Sequence, residues 1–153
     1  MKLQTSSRLA IFAVLELARD PEIQKSVHDI GQKYGVSPHH LAKVMKTLNR
    51  AGLVQATRGV GGGYRFTGNA RRVTLRDVVA LFEDVLYATA ANTDAADETE
   101  AGRALRSVLV EIDDITNATL GATTLATMLK LMGHEPPGEE RAAAAASLRR
   151  TGS

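Results

Sequence analysis

The chain has 153 residues, enough for one domain that buries a real core, and its 44% hydrophobic content with only 4% aromatics and no Trp predicts a globular, aliphatic, helical interior. It contains no cysteine, which excludes disulfides, thiolate metal sites and a cysteine nucleophile. The net charge of +2 hides a split: residues 1–72 carry 12 Lys and Arg against 4 Asp and Glu, a net of +8, while residues 73–153 carry 7 against 13, a net of −6, so one half suits a polyanion and the other does not.

Residues 7–18 (SRLAIFAVLELA) are apolar almost all the way round, which predicts a helix buried on most sides and ended by Asp20-Pro21. Ser26, with Asp29 three residues on, forms a capping-box pattern ahead of Val27, Ile30 and Tyr34, and this predicts a short second helix stopped by Gly35. Only Val36 and Ser37 separate it from a third. Ser37 is placed to cap that helix, and Pro38 fits its first position, where a missing N–H costs nothing. Two helices joined by so tight a turn make a helix-turn-helix. In the second of them Leu41, Val44, Met45 and Leu48 form an apolar stripe, and His39, Lys43, Lys46 and Arg50 form the opposite one with no acidic residue between them. A helix of this kind fits the major groove of B-form DNA, although a basic stripe seen alone is more often a solvated face.

Gly52 is placed to stop the helix, with Leu53 folding back on Leu48. Leu53–Arg58 and Tyr64–Thr67 read as two short strands joined by the turn Gly59-Val60-Gly61-Gly62-Gly63, with Arg58 and Arg65 beside the tip. A basic hairpin following a recognition helix is a wing, placed against the phosphate backbone or minor groove. The glycine run is not a phosphate loop, which needs a Gly-Lys-Ser/Thr ending and a helix after it. Thr74 with Asp77 predicts another cap, before a helix of about ten residues carrying Leu75, Val78, Val79 and Phe82. Residues 84–100 lose periodicity and read as an exposed loop.

Residues 101–120 predict the longest helix. Its apolar positions Ala101, Leu105, Val108, Ile112, Ile115 and Thr119 alternate spacings of four and three, a heptad-like seam that calls for the same helix of a second subunit. The competing reading packs it back on its own domain. Thr124 caps a last short helix with Leu125, Met128, Leu129 and Met132, stopped by Gly133, and residues 133–153 read as a flexible tail.

These segments together carry a family resemblance. The Met-Lys-Leu opening, the YGVS turn, LxKVMxxLxRAGLV, the RGxGGGY wing and TLRDVV make residues 1–132 similar to the IscR/NsrR-type (Rrf-two) winged helix-turn-helix transcriptional regulators. The resemblance implies a homodimer on a pseudo-palindromic operator, usually a repressor, with the long helix dimerising. Many relatives hold an iron–sulphur cluster through three cysteines in the loop after TLRDVV. Here Ala90, Ala95 and Ala101 stand at the spacing of one relative class, and Arg8 stands where some relatives offer an acidic ligand. No cofactor is therefore expected, whether the cysteines were lost naturally or replaced by alanine in an apo form of a sensing repressor. Asp94, Asp97, Glu98 and Glu100 are hard oxygen ligands, but acidic loops are usually just solvated and no metal is assigned to them.

The expected fold is mainly α with a small β wing. A winged helix-turn-helix domain occupies 1–83, the loop 84–100 and the dimerisation and short C-terminal helices 101–132. The expected DNA contacts are Lys43, Lys46, Thr47 and Arg50 in the major groove, with His39 and His40 at its entry and Arg58, Tyr64 and Arg65 on the wing. The expected dimer contacts are Leu105, Val108, Ile112 and Ile115. No apolar run reaches the roughly 18 residues that span a bilayer and no secretory leader is visible, so a cytoplasmic location without membrane contact is expected. No small-molecule effector can be named. A protein-interaction module that kept the fold but lost the operator is the competing function, and an enzyme is not expected because no nucleophile–base pair or ligand cluster has usable spacing.

Overall fold

The computed structural model describes residues 1–84 and 94–134. Among them are six helices and one two-stranded sheet: α1 (Thr5–Ala18), α2 (Val27–Tyr34), α3 (Pro38–Arg50), β1 (Val54–Thr57), β2 (Gly63–Phe66), α4 (Leu75–Val79), α5 (Glu100–Ala122) and α6 (Leu125–Leu131). The fold is mainly α with a small β wing, as expected. The expected tail from residue 135 onward and most of the expected loop, Ala90 included, lie outside the described residues.

The apolar character of α1 is used in full: Leu9, Ala10, Ile11, Ala13, Val14, Leu15, Leu17 and Ala18 are all buried. The helix touches α3, β2, α4 and α6 and forms the centre of the core. Around it lie Ile30, Leu41, Val44, Met45, Leu48, Val54, Phe66, Val78 and Val79. Each fully buried aliphatic side chain here contributes on the order of 1.5–3 kcal/mol of transfer free energy. Leu125 and Leu129 of α6 complete the same core, so the chain returns to it after the long helix. Paired backbone bonds fasten that return, Leu75 N to Thr123 O and Leu125 N to Val73 O, both at 2.9 Å.

Local capping explains most of the boundaries. Ser26 with Asp29 and Thr74 with Asp77 each form a complete capping box, and Thr124 accepts from the Thr127 N–H. Thr99 does the same for Gly102 at the start of α5, a cap the sequence reading missed. Ser37 departs from expectation and makes no side-chain cap bond. The four side chains that cap sit at ψ between 157° and 164°, whereas Ser37, the residue before Pro38, sits at ψ 125°. The helix after Thr74 is also shorter than the ten residues expected. It tightens after Val79 into turns, Leu81 N to Val78 O and Phe82 N to Val79 O. That turn carries Glu83 back to accept the Gln4 N–H at 2.8 Å.

The exit from α3 shows why a glycine follows it. Leu53 N bonds to Leu48 O at 3.1 Å and Gly52 N to Asn49 O at 3.1 Å, a Schellman stop that requires the left-handed backbone Gly52 adopts at φ 77°. The chain thereby turns directly from α3 into the wing.

Candidate nucleic-acid interface

On α3 the two stripes separate cleanly. Leu41, Val44, Met45 and Leu48 are buried, while His39, Lys43, Lys46 and Arg50 are exposed on the other side. Thr47 is half-buried between them, and its hydroxyl lies 3.4 Å from the Lys43 carbonyl as donor. His40 is half-buried and its Nε2 lies 3.3 Å from the Ser6 hydroxyl, so it leans toward the start of α1 rather than standing free. No acidic residue occurs anywhere in the helix, so its outer face is an unbroken positive surface.

The wing stands directly behind it. β1 and β2 pair antiparallel in the register Val54–Phe66, Gln55–Arg65, Ala56–Tyr64 and Thr57–Gly63, which makes Gly63 a strand residue rather than part of the tip. Arg58 is exposed at the tip. Arg65 is exposed as well, and its Nη2 donates to Gln55 Oε1 across the pair at 3.1 Å, which keeps the guanidinium on the outer face of the hairpin. Tyr64 is different: it is half-buried against the core, and its backbone exchanges two 2.9 Å hydrogen bonds with Lys25. That bridge extends the hairpin by one further strand position. It also explains Gly63, because a Cβ there would lie 2.6 Å from the Lys25 carbonyl oxygen.

Periodicity did not reveal the polar cluster beneath the wing. Glu16, the one charged residue between Leu9 and Ala18, is 4% exposed. Its Oε1 accepts from Lys25 Nζ at 2.6 Å, and its Oε2 accepts from Lys33 Nζ at 2.6 Å and Tyr34 Oη at 3.0 Å. Burial pushes the Glu16 carboxyl up, but the bonds from Lys25, Lys33 and Tyr34 outweigh it and bring the pKa down to about 2. Burial, and then the same bond to Glu16, push Tyr34 up to about 12. Beside this cluster the Tyr34 ring stacks on Phe12 at 5.2 Å, and the Arg8 guanidinium lies 5.8 Å from the Phe12 centroid. The signal in the sequence was a lone carboxylate in an otherwise apolar helix.

The seam residues of α5 also have clear positions. Leu105, Val108, Ile112 and Ile115 are 52–60% exposed, and Leu109 between them is 44% exposed. Only Asp113 is buried on that helix. The described chain thus carries a row of aliphatic side chains in water, a surface that isolated soluble domains rarely leave open.

A resident iron–sulphur cluster does not fit these residues. Ala95 and Ala101 are exposed and offer only methyl groups, and Arg8 presents a cation packed on Phe12. Among the described residues no group of three or more His, Asp or Glu is arranged to hold a metal ion, and no helix is long and apolar enough to cross a membrane.

Comparison with known proteins agrees with this geometry. Residues 3–131 match the Rrf2 family, described as iron-dependent transcriptional regulators. The chain is 46% identical over 149 residues to BadM of Rhodopseudomonas palustris, an HTH-type transcriptional regulator by name, covering 97% of this chain and 94% of that one. Its fold is similar to CymR of B. subtilis, titled a global cysteine regulator, with a TM-score of 0.72, 26% identity and coverage of 86% and 98% of the two chains. It is similar also to IscR of T. potens, with a TM-score of 0.67, 26% identity and coverage of 85% and 87%. An exposed basic helix, a wing behind it, and a match over nearly the whole described length make one conclusion: the chain belongs to the Rrf2 family of winged helix-turn-helix, DNA-binding transcriptional regulators.

Proposed function

We propose that this protein is a cytoplasmic, homodimeric, non-enzymatic repressor that binds a pseudo-palindromic operator without an iron–sulphur cluster. The observation that carries the reading is the outer face of α3, where Lys43, Lys46 and Arg50 are exposed with no acidic neighbour on the helix. Lys43, Lys46, Thr47 and Arg50 enter the major groove, His39 and His40 stand at its mouth, and Arg58, Tyr64 and Arg65 hold the wing on the backbone or minor groove. The exposed row on α5 pairs with its copy about a two-fold axis and sets the distance between the two recognition helices.

Gel-shift titration of fragments from the gene's own promoter tests the reading. Binding is expected to prefer one fragment and to weaken steeply with salt. Five cationic side chains per protomer face the DNA, so the slope of log affinity against log salt is expected at about −6 to −9 for a dimer. Lack of sequence preference at every salt concentration would leave the protein-interaction reading instead. Lys46→Ala or Arg50→Ala is expected to cost about 1–3 kcal/mol at the preferred site and less elsewhere, since a base-reading side chain discriminates. An equal loss on all sequences would reassign that residue to phosphate contact, which the same titration reads out as a shallower salt slope.

A further inference from the structure

A hairpin of two four-residue strands has no stability of its own, so the angle of the wing is set by what fastens it: the packing of Val54 and Phe66 in the core and the contacts along its two edges. Each edge has one polar clamp. On the β1 edge, the Ala56 N–H points away from β2 and donates to Asn49 Oδ1 at 3.3 Å, and Asn49 belongs to the last turn of α3. On the β2 edge, Tyr64 is paired with the backbone of Lys25, whose side chain runs inward to Glu16. The Lys25 ammonium also lies 3.3 Å from the Glu16 carbonyl oxygen, so both ends of that residue hold it. The second oxygen of Glu16 holds Lys33 and Tyr34 at the end of α2. One buried carboxylate therefore joins α1, the strand position that carries the wing, and the first helix of the helix-turn-helix.

The consequence concerns geometry on DNA. The recognition helix and the wing must meet neighbouring grooves together, and the second contact strengthens the first only if their spacing already matches. We propose that Glu16 and Asn49 are positioning residues for operator binding: neither touches DNA, and together they fix the wing at the angle to α3 that lets both engage at once. The proposal rests on the placement of α3 and the wing on DNA given above.

Chemical footprinting of the full-length protein on its promoter fragment tests it, with dimethyl sulfate reporting guanine N7 in the major groove and adenine N3 in the minor groove. Asn49→Ala alters an exposed residue and keeps the fold. Glu16→Gln keeps the side-chain size. Each is expected to lower affinity about tenfold, the effect of losing one such hydrogen bond, with minor-groove protection beside the wing lost and major-groove protection kept. Lys25→Arg is expected to preserve both protections, and Lys25→Met to lose the minor-groove one. Unchanged affinity and footprint in Asn49→Ala and Glu16→Gln would overturn the proposal. So would a parallel fading of both protections that tracks the folded fraction measured by circular dichroism, because that is the mark of a purely structural role. Failure of the unmodified protein to protect either groove would instead remove the DNA placement itself, and the proposal with it.

Discussion

A chain carrying Leu105→Lys and Ile112→Lys is expected to sediment as a monomer and to lose about a hundredfold or more in operator affinity. The two positions lie in the exposed row of α5, where Leu105 is 59% and Ile112 is 52% exposed. Pairing this face with its copy would bury about ten aliphatic side chains counting both helices. At on the order of 1 kcal/mol each for half-exposed groups, the gain is comparable with the cost of association. Two lysines per chain become four around a two-fold axis, where like charges repel in a partly desolvated setting. The DNA effect follows from linkage rather than from lost contacts. In a dimer the second half-site is reached at millimolar effective concentration, whereas each separate monomer must bind its half-site from solution. Sedimentation velocity and gel shift on one preparation check both halves. A double variant that remains dimeric would show that the row packs elsewhere, and a monomer with full affinity would show that each half-site is bound independently.

The elements were legible wherever the signal was local. Ser26 with Asp29 and Thr74 with Asp77 announce helix starts because both partners of a capping box lie within one turn. The Leu41, Val44, Met45 and Leu48 stripe announces the inner face of α3 because helical period alone decides which residues share a side. The failures share a cause as well. Ser37 has the residue type of a cap, but its backbone sits at ψ 125° rather than at the 157–164° of the residues that do cap, a difference that residue type alone does not encode. The shortened α4 is followed by turns that bring Glu83 to the Gln4 N–H, 79 positions away in the chain, a contact with no local signal.

The site divides along the same line. The exposed cations of α3 and the wing follow from period and charge, since a solvated face needs no partner. The clamps behind them do not. Glu16 meets groups 9, 17 and 18 residues along the chain, and Asn49 meets a strand amide beyond a glycine stop, so neither pairing repeats with any period. Tyr64 shows how the two kinds of signal mix: its place beside the wing tip was evident, but its half-buried side chain and its bridge to Lys25 depend on a segment nearly forty residues earlier.

Glu16→Gln is expected to cost about 2 kcal/mol of stability at neutral pH and close to nothing at pH 2. The sign follows from linkage. With its pKa near 2 in the folded chain against 4.5 for a free glutamate, the carboxylate stabilises the native state fully above about pH 4.5. That contribution disappears as the pH falls from 4.5 toward 2, where the folded form must also take up the proton. The shift alone corresponds to roughly 3 kcal/mol, reduced here because the Lys33 side chain is 47% exposed and water screens its share, while the Lys25 side chain at 22% keeps most of its own. Urea unfolding of both chains at pH 7, 4.5, 3 and 2 measures the convergence, and a stability difference constant across that range would show that packing, not charge, is what Glu16 supplies. The alkaline side gives a second reading of the same cluster. Tyr34 is held up at about 12 by burial first and the Glu16 carboxylate second. In Glu16→Gln its phenolate absorbance should therefore appear at lower pH than in the parent, yet still above the ordinary tyrosine value, because burial remains when the charge is gone.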